Sequence, residues 1–435
     1  MDRCLGSPRF DLAAISSFEV LLQYGCSKRA TEEPLGYRMI RMNNLQTDGW
    51  HLDDLKYVQL TPAEFRSWRL ECGDIAFNRT NSKELVGKCE VFAEPGDWVF
   101  ASYLMRLRVD RSRALPEFVT AFLNTRAGRV QINRESRQII GMSNINAEEI
   151  RTLRVPLPKP QKQKELLGEL DTARHRWKKM LADADGLLSE LDDFVLEQLG
   201  LSLPSPEAYP TNYAVRIRDV VAGSKLNPDF FHPERINAIK AVQRKYPGSR
   251  SGTLASIADF RRDQRQIRPG DTYLGLANVQ SDTGERIENT EEDGEGTVFE
   301  YAENDVLFAR LRPYLNKVYR AETFGVCSPE FHVMRLYPDK DGTPRLVPDY
   351  LAALLRSRLV LAQTRHMMTG NTHPRLTNDD VVNLVIPIAD GAVQAQIASE
   401  VARRRAEARR LRAKGTELWE EAKGAFEAAL LGPVI

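Results

Sequence analysis

The chain contains itself twice, and no other feature constrains its fold as strongly, because a repeat read as one unit misassigns every element within it. The segment Gly73-Asp74-Ile75-Ala76-Phe77-Asn78-Arg79 returns as Asn304-Asp305-Val306-Leu307-Phe308-Ala309-Arg310, about 231 residues later. Leu115-Pro116-Glu117-Phe118 answers to Val347-Pro348-Asp349-Tyr350, and residues 145–156 (INAEEIRTLRVP) align with 376–387 (LTNDDVVNLVIP), again about 231 apart. With 435 residues in all, each copy is long enough to bury a core of its own.

Within each copy the pattern turns from β-rich to helical. Up to about residue 158, short alternating or β-branched runs such as Glu90-Val91-Phe92 and 104–109 are broken by Gly, Asn-Asn and Pro-Gly turn signals, which reads as a mixed α/β globule. From Gln161 to Leu199 there is no proline. Apolar or small residues fall at Leu166, Leu170, Ala173, Trp177, Met180, Ala184, Leu187, Leu191 and Phe194, alternating four and three as in a coiled-coil seam. The second copy supplies Ile397, Val401, Arg404, Ala408, Leu411, Gly415, Leu418, Ala422 and Ala425. An antiparallel register setting Trp177 by Leu418, Met180 by Gly415 and Ala184 by Leu411 puts large residues against small ones. The alternative is two amphipathic helices, each packed on its own globule.

Several function classes drop out. The 61 basic and 60 acidic residues leave a net charge of +1, so a nucleic-acid role must rest on local patches. Five cysteines without a C-x-x-C pair argue against a disulfide framework or a four-thiolate zinc site and suggest a reducing compartment. No apolar run reaches the roughly 18 residues of a membrane span, and the opening MDRCLGSPRFD lacks the apolar core of a signal peptide, so a cytoplasmic location is expected. Asn227-Pro228-Asp229-Phe230 lacks the second proline of an amino-methyltransferase loop, and no phosphate-loop motif occurs. No E-x-K or D-x-K stands ready for magnesium after a Pro-Asp. No H-E-x-x-H pair is present, and His366 and His373 suit DNA contact or surface better than zinc. No catalytic residue and no metal ligand is expected.

The ordered words of the chain resemble the specificity (S) subunits of type I restriction-modification systems, over essentially its whole length. Residues 226–233 (LNPDFFHP) are similar to that family's opening phrase, with Pro8-Arg9-Phe10-Asp11 a degraded counterpart. Residues 305–317 (DVLFARLRPYLNK) resemble its "GD-hydrophobic-SR-RPYLNK" phrase, of which 73–88 is a looser copy. Residues 153–158 (LRVPLP), followed by Gln161 and Gln163, resemble the hinge before its conserved helix; the second copy lacks the double proline. The resemblance implies an α+β chain with two tandem pseudo-repeated α/β target recognition domains separated by two long helices that form an antiparallel coiled coil. The expected boundaries are 1–158, 159–200, 201–389 and 390–432. It implies a non-catalytic DNA reader that recognises a bipartite double-stranded site and docks two adenine methyltransferase subunits, with restriction (nuclease/translocase) subunits where these exist. S-adenosylmethionine would belong to the methyltransferase partners and no cofactor to this chain. An adaptor of another anti-phage complex, without base-specific readout, is the competing reading.

DNA reading needs cations for phosphates and planar donors or amides for base edges. Arg261, Arg262, Gln264, Arg265, Gln266 and Arg268 crowd one short segment before a Pro-Gly turn, the leading base-reading candidate of the second globule. Arg365, Asn371, Thr372, His373 and Arg375 surround Gly370, and their first-copy counterparts are Arg134, Arg137, Gln138, Ser143 and Asn144 around Gly141. Arg79, Lys83 and Lys88, with Arg310, Arg312 and Lys317, follow equivalent apolar strands and are assigned to phosphates or the adjoining interface; Arg310 and Arg312 could equally pair with Asp305. Asn43, Asn44 and Gly49, with Asn278 and Gly284, suggest a shared structural turn. Arg403, Arg404, Arg405, Arg409, Arg410, Arg412 and Lys414 make the last helix a basic face that is solvated, tracks DNA or docks an acidic partner.

Overall fold

The structure is a computed structural model that describes residues 8–432, apart from 47–48, 140–141, 207–208, 211, 224–226, 288–295, 339–344 and 369–373. It divides into two compact units, residues 1–182 with 411–435 and residues 183–410. Each unit holds an α/β globule and stretches of both long helices, Pro160–Ser189 and Gly391–Leu431.

The repeated word of the sequence is the inner strand of a four-stranded antiparallel sheet. In the first unit Ile75–Asn78 lies between Leu104–Val109 and Cys89–Val91, with Glu19–Tyr24 on the outer side of Leu104–Val109. In the second, Val306–Ala309 lies between Phe331–Leu336 and Val318–Arg320, with Ala258–Arg261 outermost. All four residues of both inner strands are buried, which is why they read as continuous apolar runs rather than alternating ones. A two-stranded clasp closes each globule, Leu12–Ala14 on Arg154–Pro156 and Ser251–Thr253 on Val385–Pro387.

The turn entering each inner strand needs a left-handed residue. Gly73 takes it at φ 94° and Asn304, its counterpart, at φ 69°; asparagine is among the few side chains that tolerate this region. The following aspartate then fastens the sheet. Asp74 Oδ2 accepts from Glu71 N at 2.8 Å and the carboxylate takes Arg108 Nε and Nη2 at 2.6 and 2.9 Å. Asp305 repeats this with Ala302 N and Arg335. Asp305 therefore pairs with Arg335 and not with Arg310 or Arg312.

Helix entry repeats as well. Gln163, fully buried, accepts from Leu115 N at 2.8 Å and donates to Arg113 O at 2.8 Å and Pro158 O at 2.7 Å. Gln394 does the same to Val347 N, Ala389 O and Arg345 O at 2.9, 2.8 and 3.5 Å.

The helices pair antiparallel within each unit. In the first, the rings of Trp177 and Trp419 stack at 5.4 Å and 4°, and a Cβ on Gly415 would meet Trp177 Cδ1 at 3.1 Å and Met180 Cβ at 3.3 Å. The large-against-small match of Met180 and Gly415 is present; the Trp177 partner is Trp419, one residue from the expected Leu418. Toward the helix ends burial also moves by one residue. Leu167 and Leu170 are buried while Leu166 is half-buried, and Phe426 is buried while Ala425 is exposed. In the second unit Leu188 is buried and Leu187 and Leu191 only half so, opposite buried Ile397 and Val401; Arg404 lies over the Phe194 ring at 5.1 Å. A straight helix drifts about 20° per heptad from a 3.5-residue repeat, so an apolar stripe that also covers a globule slides off the strict seam. The first helix is also interrupted at Glu190, with Leu191–Gln198 a separate helix.

Candidate nucleic-acid interface

In the first unit the strand word and the Arg/Asn segment, distant in sequence, are joined. Thr80–Asn81 pairs with Met142–Asn144, which pairs with Arg137–Ile139. Ile145 N donates to Arg79 O at 2.9 Å. Arg79 Nη2 donates to Asn144 Oδ1 at 3.0 Å while its guanidinium covers the Tyr24 ring at 4.9 Å. Ser143 is buried in this sheet; Gln138 lies on its outer strand, and Gly141 falls outside the described residues. Arg137 is exposed but paired with Glu149 at 2.8 Å. Lys83 and Arg134 are exposed and have no carboxylate partner among the described residues.

The second unit builds the same junction with other side chains. Leu376 N donates to Arg310 O at 3.0 Å, Arg312 N donates to Pro374 O at 2.8 Å, and Leu311 bridges Arg375. Arg375 is paired with Glu330 at 2.7 Å, and Arg365 with Glu234 at 2.9 Å. Gly370, Asn371, Thr372 and His373 lie outside the described residues. Arg312 is exposed, without a carboxylate partner among the described residues.

The crowded segment 261–268 divides. Arg265, read from sequence as a base reader, is clasped by Asp271 and Glu300 at 2.6 Å each, and its guanidinium is spent inside the globule. Arg261 is held by Asp259 and Asp263. Arg262, Gln264, Gln266 and Arg268 remain exposed; Gln266 Nε2 donates to Thr297 Oγ1 at 3.3 Å. Arg262 and Arg310 lie close enough to the buried His332 imidazole that burial and these two cations together push its pKa down to about 3. Arg262 and Arg310 thus both approach His332, which sequence spacing did not indicate. His332 itself was missed because it reads as one more residue of a buried strand.

Two assignments are corrected outright. Lys88, assigned like Lys317 to phosphate or the adjoining interface, is buried and its Nζ donates to Leu45 O at 3.0 Å; Lys317 donates to Leu276 O at 2.7 Å. The repeat has kept a lysine that ties a loop to the inner sheet. The basic face of the last helix is also largely neutralised by its own chain: Arg403 and Arg404 hold Glu400, Arg410 holds Glu407, and Arg405 and Arg409 hold the buried Glu285. In the first unit Arg174, at the position equivalent to Arg405, pairs with Glu90. Asn44, fully within the globule, donates to His51 O and Asp54 O, and Asn278 accepts from Gly275 N, as expected for structural turns.

No protein-family model matches the chain. The chain is 22% identical over 174 residues to the assigned type I restriction enzyme MjaX specificity subunit of Methanocaldococcus jannaschii, covering 40% of this chain and 38% of that one. It is 24% identical over 153 residues to the type I restriction enzyme EcoKI specificity subunit of Escherichia coli K12, covering 34% and 33%. Over these segments the chain is similar to type I specificity subunits. The matches span about a third of the length of these curated relatives. Among solved structures, the type I restriction-modification S subunit from M. genitalium aligns over 98% of this chain and 97% of its own at 11% identity, with a TM-score of 0.41.

The specificity-subunit words acquire physical meaning in this fold. The Gly-Asp and Asn-Asp pairs are the left-handed turn and the sheet-fastening carboxylate. In the RPYLNK phrase, Arg312 and Asn316 both stand in the left-handed region, at φ 49° and 50°, flanking the turn Pro313–Leu315. Two such residues so close bend the chain sharply, which leaves Tyr314 exposed and turns Lys317 inward.

No described helix is long and apolar enough to cross a membrane. Among the described residues, one group of side chains could hold a metal ion, His232 with Glu234 and His366.

Proposed function

We propose that this chain is a non-catalytic, sequence-specific DNA-binding subunit that recognises a bipartite double-stranded site, one half through each globule. It would direct partner adenine methyltransferase subunits, and nuclease/translocase subunits where present, to that site. On this reading S-adenosylmethionine belongs to the methyltransferase partners, and the complex works in the cytoplasm. The observation that carries the proposal is the duplicated junction: Ile145 to Arg79 and Leu376 to Arg310 are the same main-chain join, dressed with different polar side chains. A scaffold that reads different bases needs just this, an unchanged backbone with changed donors and acceptors. Lys83 and Arg134 in one unit, and Arg262 and Arg312 in the other, supply exposed cations for phosphates.

With a net charge of only +1 and several candidate cations already paired within their own globule, the subunit alone should bind DNA weakly and with strong salt dependence, and more tightly once methyltransferase subunits close around the duplex. Titration of a labelled duplex, carrying the site found by sequencing methylated DNA from cells with the complete system, tests this. Salt-independent binding, or none in either state, overturns the reading.

A further inference from the structure

Two histidines far apart in the sequence meet in the second unit. His232 caps the helix Pro233–Lys245, and His366 follows the helix Arg358–Thr364. Their rings lie face to face with centroids 3.5 Å apart, 19° from parallel. Glu234, only 5% exposed, reaches the same point: its Oε2 is 2.6 Å from His366 Nε2 and its Oε1 accepts from Arg365 Nη1 at 2.9 Å. One donor atom from each of His232, Glu234 and His366 lies within 4.8 Å of the other two.

We propose that His232, Glu234 and His366 form a binding site for one divalent transition-metal ion of the zinc class. Such ions bond imidazole nitrogen and carboxylate oxygen at about 2.0–2.2 Å and lie in the plane of each ring they bond, so the donors can share one once an imidazole turns about its side-chain torsions out of the present stack. Two imidazoles with a single carboxylate suit zinc, cobalt or nickel; calcium and magnesium favour all-oxygen sets. Arg365 occupies the outer carboxylate oxygen and so aims the other at the histidines, as partners of metal-binding carboxylates do.

An ion pair alone accounts for less of this arrangement. Glu234 is already matched by Arg365 and His366, and His232 adds no donor to the carboxylate; its Nδ1 instead accepts from Glu234 N at 3.3 Å. That long hydrogen bond is the contact the ion would replace. The bound ion would staple the start of one helix to the segment that leads toward Arg375 and its bridge to Leu311. The proposal stands independently of DNA recognition.

The test uses the full-length chain, stripped with a chelator and titrated with zinc chloride by calorimetry and with cobalt chloride by visible absorption. One ion per chain is expected, with the intense cobalt bands of a low-coordinate site, and affinity should fall as pH drops through the imidazole range near ~6.5. His232→Ala and His366→Gln should each weaken binding at least tenfold. The glutamine amide reaches the place of His366 Nε2 and keeps a hydrogen bond to Glu234, so the variant remains informative if His366→Ala fails to fold. His175→Ala, at an exposed position of the first long helix, should bind as the parent does. No saturable binding by the parent chain, or equal affinity in the His232 and His366 variants, overturns the proposal.

Discussion

Replacing Gln163 by alanine tests how each long helix is fixed to its globule. The carboxamide satisfies three main-chain groups, Leu115 N, Arg113 O and Pro158 O, all within 2.8 Å, in a site with no solvent exposure. A buried polar group left unpaired costs about 1–3 kcal/mol. The vacated space holds about one water, which can satisfy two of the three groups, so the net loss from the one group left unpaired should be about 1–3 kcal/mol. Gln394→Ala should cost about 1 kcal/mol less, because its bond to Arg345 O is already stretched to 3.5 Å. Gln163→Glu keeps the volume but turns an anion toward two carbonyls, and should be at least as damaging near neutral pH. It should recover partly as pH falls toward about 4.3, because burial beside carbonyls raises the carboxyl pKa in the folded chain and the protonated group regains one donor. Urea unfolding measures the loss, and hydrogen exchange localises it: the Leu115 amide should exchange faster only in the Gln163 variants and the Val347 amide only in Gln394→Ala. A Gln163→Ala protein within about 0.5 kcal/mol of the parent, or unchanged protection at Leu115, would refute the reasoning.

Lys88→Met should lower stability yet leave the salt dependence of DNA binding unchanged, whereas Arg262→Ala and Arg312→Ala should each reduce the salt slope by about 0.9 for every phosphate that goes unneutralised; anisotropy titrations at several salt concentrations distinguish them. His332, held neutral with a pKa of about 3, takes up a proton more readily when the chain unfolds. Its contribution to stability is therefore complete above about pH 6.5 and is lost as pH falls toward 3. His332→Gln should flatten that acid limb in pH-dependent denaturation, and an unaltered limb argues against the assignment. Trp177→Ala removes the stack on Trp419 and should cost about 3–5 kcal/mol by thermal unfolding; a loss under 1 kcal/mol would mean that the tryptophans do not join the helices.

Much of the framework was legible because its signals are local. The words beginning Gly73-Asp74 and Asn304-Asp305 announce an equivalent element in each copy; that the turn is left-handed and the strand buried on both faces came from the structure. The Met180–Gly415 match was legible because volumes alternate along a periodic stripe. The Trp177–Trp419 register was not, since a one-residue slide depends on how far each helix also wraps onto its globule. His232, Glu234 and His366 left no recognisable motif, because His366 lies 132 residues from Glu234 in the chain.

The site was less legible than the fold. Composition could show where arginine and lysine concentrate, but not which of them are already neutralised. Arg265 and Lys88 carry the same charge as Arg262 and Lys83, and nothing in their immediate neighbours distinguishes them.

By itself, then, the sequence determined the duplication, the strand words, the helix entry glutamines and the existence of the two long helices, all of which follow from periodicity and turn chemistry within a few residues. Only the tertiary structure decided which cations remain available. A guanidinium or ammonium group pairs with whatever acceptor the folded chain brings within about 3 Å. Those acceptors, Glu300 for Arg265, Leu45 O for Lys88 and Glu285 for Arg405, come from strands and loops remote in sequence.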